Sequence, residues 1–71
     1  MKILGVPSIA YTQRVVKNAI HTRHTVAEMA ERSGLTVAVV KRMCDQCGGT
    51  DARAYQNEDH RTAIVSAWGD M

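Results

Sequence analysis

The stretch TVAEMAERSGLTVAVVKRM, Thr25 to Met43, has the apolar spacing of one long helix, yet a Ser-Gly pair interrupts it at Ser33-Gly34. Glycine inside a helix costs about 1 kcal/mol relative to alanine. The neighbouring residues resolve the conflict in favour of a bend. Thr25, with Glu28 three residues later, forms the pattern of a capping box, in which each side chain accepts a hydrogen bond from the other residue's amide. Val26, Met29 and Ala30 share a face at i, i+3, i+4 and predict a short helix ending near Arg32 or Ser33. Gly34 then stands where left-handed backbone closes a helix cheaply. Leu35 follows as a buried anchor and Thr36 caps a third helix. The apolar positions of that helix, Val37, Val40, Met43, Cys44 and Cys47, run up to the stop at Gly48-Gly49.

On the N-terminal side, residues 1–8 read as an extended arm closed by Pro7, with Ser8 as an N-cap. From Ile9 to about Thr22, the positions Tyr11, Val15, Val16, Ala19 and Ile20 predict a helical stripe. Arg14, Lys17, His21 and His24 recur at i, i+3, i+7, i+10 and form a basic face, either simply solvated or in contact with phosphate. On the C-terminal side, ARAYQN (residues 52–57) and TAIVSAW (residues 62–68) are short β-prone runs separated by EDHR, which predicts a hairpin. Residues 69–71 form a frayed tail.

Seventy-one residues make one domain, mainly α with a small β-hairpin, in which nearly every apolar side chain is needed for the core. With no Phe, the core falls to Val, Ile, Leu, Met and Ala. A hydrophobic share of 45% disfavours disorder, and a net charge of +2 permits a polyanionic partner without requiring one. No run approaches the ~20 apolar residues of a membrane span, and the first residues lack the long apolar core of a secretory signal. The expected location is the cytoplasm, where two cysteines stay reduced.

Residues Val26 to Asp45 resemble the helix-turn-helix of bacterial and phage DNA-binding regulators. Ala30 is small where two helices cross, Gly34 lies in the turn, and Met29, Leu35, Val40 and Met43 are apolar where that family requires it. With one helix before and a hairpin after, residues 9–68 look like a three-helix winged helix-turn-helix domain. The resemblance implies a recognition helix of about residues 36–47 lying in the DNA major groove. Its candidate contacts are Thr36, Ala38, Val39, Lys41 and Arg42, with Arg42 donating to guanine and Lys41 neutralising a phosphate. Thr25 would hold a phosphate at the start of the second helix. His60 and Arg61, at the hairpin tip, would be the wing contacts, with Arg53 a lesser one. So few recognition-helix cations imply a homodimer reading two half-sites, with Trp68, Tyr55 or Ile3-Leu4 as its surface.

CDQCGG (Cys44 to Gly49) and HTRH (His21 to His24) raise a zinc alternative, with Cys44, Cys47, His21 and His24 as ligands. The histidine pair precedes the cysteines, however, and Cys44 and Cys47 fall on the apolar stripe, where free cysteine behaves as a small hydrophobe. The expectation is no cofactor. Cys44, His60 and Asp59 make no convincing catalytic set in so short a chain, so it reads as a non-enzyme. The leading expectation is a small sequence-specific DNA-binding protein, a transcriptional regulator or a phage or plasmid accessory factor. Its rival is a winged-helix protein–protein interaction module that docks through Val37-Ala38-Val39.

Overall fold

A side-chain oxygen caps the start of every α-helix in the computed structural model, which describes residues 6–69. Ser8 opens α1 (Ile9–His21), Thr25 opens α2 (Val26–Ser33), Thr36 opens α3 (Val37–Gln46) and Asn57 opens α4 (Glu58–Trp68). Each cap accepts from amides that have no partner inside the helix. A short 3₁₀ turn, Arg53–Tyr55, links α3 to α4.

The bend at Gly34 forms. Its φ of 77° is left-handed, and the Ala30 carbonyl accepts from the amides of both Gly34 and Leu35. The end of α1 uses the same device with a residue poorly suited to it. Arg23 adopts φ 69°, its amide donates to the Ile20 carbonyl, and the His24 amide donates to the Ala19 carbonyl. A side chain in this conformation costs roughly 1–2 kcal/mol that glycine avoids, part of which glycine returns through a freer unfolded chain. Arg23→Gly should therefore raise stability by about 0.5–1 kcal/mol, read as a higher urea midpoint at unchanged slope.

The β-hairpin expected over residues 52–68 is not present; the described residues contain no strand. Asn57 Oδ1 accepts from the amides of Asp59 (2.8 Å) and His60 (3.2 Å), and Glu58 and Asp59 place negative charge in the first turn, so the run continues as α4. The fold is mainly α, without a wing. Of the extended arm assigned to residues 1–8, Val6 to Ser8 have no regular structure, and Ile3-Leu4 lie outside the described residues.

Helix α4 packs against α1, α2 and the 3₁₀ turn, while α2 packs against α3. Val16, Ala19, Met29, Val40, Met43, Tyr55, Ile64 and Trp68 are the buried centre. Tyr55 and Trp68, named as possible dimer surfaces, are thus core residues. Trp68 ties three segments together. Its Nε1–H donates to the Met29 carbonyl at 3.4 Å, the Arg32 guanidinium lies 4.1 Å from the ring centroid, and the His24 ring meets it edge-on at 4.5 Å. On α1, Tyr11 and Ile20 are exposed, and Thr12 joins Val15, Val16 and Ala19 among the buried positions, its hydroxyl donating to the Ser8 carbonyl at 2.7 Å.

Polar side chains seal the end of α3. Tyr55 donates its phenolic hydrogen to the Met43 carbonyl, one of the last four that a helix leaves unpaired. Gln46 Oε1 accepts from the Ala54 amide at 2.7 Å, and Gln13 donates to the Gln46 carbonyl at 3.5 Å. Burial pushes the Tyr55 phenol well above its ordinary range, with Cys47 and Cys44 adding to the effect, so it remains a donor across the working pH range.

Candidate nucleic-acid interface

Helix α3 is ten residues, about 15 Å at 1.5 Å per residue. Val40 and Met43 face the core and thereby aim the opposite side of the helix outward. Ala38, Lys41, Arg42 and Asp45 are exposed there. Thr36 is exposed at the N-terminus, its Oγ1 accepting from the Val39 amide at 3.2 Å. Val37, expected on the buried stripe, is 52% exposed. Val39, expected to be exposed, is half-buried and packs against the core.

Beside α3 lies a shallow cleft of about 390 Å³, lined by Val39, Arg42, Arg53, Ala54, Gln56, Asn57 and His60. Three elements converge here. The start of α4 brings His60 to the same depression as Arg42, although His60 is not at a hairpin tip. Arg53 arrives from the 3₁₀ turn and pairs with Asp51 at 3.4 Å, an exposed contact that water screens heavily. None of the lining side chains is acidic, while Asp45 on α3 and Glu58 and Asp59 on α4 lie near in the chain. The positive character is therefore local to the cleft and to Lys41.

Arg61, also assigned to the hairpin tip, is instead engaged with the backbone. Its Nε–H donates to the Pro7 carbonyl (2.8 Å), and its Nη1 donates to the carbonyls of Tyr55 (2.6 Å) and Gln56 (3.2 Å). The side chain clamps Pro7, just before α1, and the 3₁₀ turn onto α4.

Thr25 is likewise committed to the capping box. Glu28 Oε1 accepts from the Thr25 amide at 2.9 Å, and Thr25 Oγ1 accepts from the Glu28 amide at 3.1 Å. A carboxylate therefore already sits where a phosphate would approach. The Thr25 amide bond is the main cause that holds the Glu28 carboxyl below its ordinary range, opposed by desolvation and assisted by His24 and Arg32. A carboxyl depressed on folding stabilises above its unfolded-state pKa and loses that contribution as pH falls through the folded value. Acidification should lower the Tm of the wild type more than that of Glu28→Gln; equal losses would remove Glu28 from the acid response.

The zinc set does not assemble. No group of three or more His, Cys, Asp or Glu side chains among the described residues is placed to hold a metal ion. His24 leaves the basic stripe to pack on Trp68, with Nδ1 2.7 Å from Thr22 Oγ1 and 3.3 Å from the Ala19 carbonyl. Cys44 and Cys47 are free, half-buried and packed against the core. Burial, followed by Cys47 and Asp45, pushes the Cys44 thiol up, which disfavours the thiolate needed for metal binding or nucleophilic attack.

The convergence of Arg42, Arg53 and His60 went unseen in the sequence because residues 58–61 were assigned to a turn between strands and Asn57 to the end of the first one. The available signal was Asn57 followed by two acids, an N-cap with a favourable first turn. No protein-family model, curated protein or solved structure matches the chain. No helix among the described residues is long and apolar enough to cross a membrane.

Proposed function

We propose that the protein is a sequence-specific double-stranded DNA-binding protein that places α3 in the major groove, consistent with a role in transcription regulation. The observation that carries this reading is the outward face of α3. The turn at Gly34 separates α3 from α2, and Lys41 and Arg42 are exposed on α3 with no ion pair among the described residues. A major groove about 12 Å wide admits a helix of this size. Arg42 donates to the acceptor edge of guanine, Lys41 neutralises a phosphate, and Thr36 and Ala38 approach bases near the N-terminal end. His60 and Arg53, which line the cleft together with Val39 and Arg42, contact the flanking backbone. Two copies reading two half-sites supply the contacts that one short face lacks.

Variants of the two cations separate their roles. Arg42→Ala should flatten base preference, costing about 1–3 kcal/mol at one position of the site. Lys41→Ala should weaken binding to every duplex alike and make the log K against log salt slope shallower by about 0.9. The reverse pattern rejects the assignment. The rival reading, a protein-docking module, is favoured by one observation, the 52% exposure of Val37 beside exposed Ala38. Absence of binding to any duplex, or a log K against log salt slope near zero, would transfer the site to protein docking through that apolar patch.

A further inference from the structure

Helix α1 carries a surface that α3 and its cleft do not use. The sequence IAYTQRVVKNAIH contains no acidic residue. Val15, Val16 and Ala19 are buried, which turns Arg14, Lys17 and His21 outward at i, i+3 and i+7, all exposed. Among the described residues none of the three forms an ion pair; the single pair, Arg53 with Asp51, belongs to the 3₁₀ turn. The described acids belong to other segments: Glu28 and Glu31 to α2, Asp45 to α3, Asp51 to the loop, Glu58 and Asp59 to α4.

We infer that this outward face of α1 is a second, sequence-independent contact surface for the phosphate backbone of double-stranded DNA; it rests on the proposed function for its partner but not for its site. Seven residues of helix span about 10 Å, comparable to three phosphate steps at 3.4 Å of axial rise per strand. Asn18 and Gln13, on α1 beside the cations, are neutral and add no repulsion. A lipid surface suits the helix less well, because the apolar side that an interfacial helix inserts is occupied by the core. Backbone contacts of this kind fix position and add affinity without reading bases.

The test uses the full chain and the double variant Arg14→Gln/Lys17→Gln, whose sites are exposed and whose new residues are good helix formers. Binding to a random-sequence duplex is measured against salt concentration, with melting by circular dichroism as the folding control. The expected result is an unchanged Tm, weaker binding to all duplexes, and a log–log slope shallower by about 1.8, or 0.9 per lost contact. Base preference in a selected pool stays as in the wild type. An unchanged slope in a variant that melts normally overturns this inference alone and leaves the α3 reading standing. Salt-dependent binding without base preference, lost in the double variant and kept in Arg42→Ala, overturns the α3 reading and supports this one. Wild-type protein that binds no duplex overturns both, and binding confined to phosphatidylserine vesicles assigns the face to a membrane surface and overturns it as well.

Discussion

Trp68→Ala should leave a chain that no longer melts cooperatively. Truncating a buried tryptophan costs about 3–5 kcal/mol. A domain of 71 residues has roughly 4–10 kcal/mol in total, at 0.05–0.15 kcal/mol per residue. The ring is 1% exposed, and it is the surface against which α2, α4 and the segment after α1 meet. The substitution empties that junction and strips His24 and Arg32 of their aromatic partner. The lost indole bond matters less, because the Met29 carbonyl also accepts from Ser33 Oγ at 2.7 Å. Trp68→Phe should therefore recover much of the stability, since a phenyl ring refills part of the indole volume without the N–H. Thermal and urea unfolding followed by circular dichroism decide the matter. A Trp68→Ala protein with a sharp transition near that of the wild type would mean that the helices do not depend on this junction.

Arg61→Ala should have the second-largest effect, and it should appear in stability before it appears in DNA affinity. One guanidinium holds three backbone carbonyls, at Pro7, Tyr55 and Gln56. Hydrogen bonds to a charged group contribute about 1.5–3 kcal/mol each when desolvated, and Arg61 is only half-buried, so about 2–3 kcal/mol is expected for the set. Lysine should not rescue the loss, because a single ammonium cannot reach in two directions as the planar fork does. Equilibrium unfolding of the alanine and lysine variants, compared with duplex binding well below their Tm, separates the two roles. Wild-type stability with weakened binding would return Arg61 to the interface.

The first half of the fold was legible because its signals are local. Ser8, the Thr25/Glu28 box, Gly34 and Thr36 each act within four residues, and each sits at the helix end that it marks. The second half was misread because tertiary packing decides it. Helix α4 touches α1, α2 and the 3₁₀ turn, so apolar side chains occupy much of its circumference and Ala63, Ile64, Val65, Ala67 and Trp68 blur the helical period. Their β-branched content then resembles a strand. The error carried into the site. His60 and Arg61 were placed side by side on a hairpin tip, whereas successive helix positions point about 100° apart; one reaches the cleft and the other grips the backbone. Thr12 escaped notice among core positions because its hydroxyl is satisfied one helical turn back. Lys41 and Arg42, which the helix-turn-helix resemblance implied as contacts, lie on the exposed side of α3.

Selection of retained duplexes from a random-sequence pool addresses α3 as a base-reading helix more directly than any other measurement. The account predicts enrichment of a short motif containing guanine, often repeated one helical turn apart, which Arg42→Ala flattens at the guanine. A pool that emerges from selection without enrichment, or a motif that Arg42→Ala leaves unchanged, would contradict it.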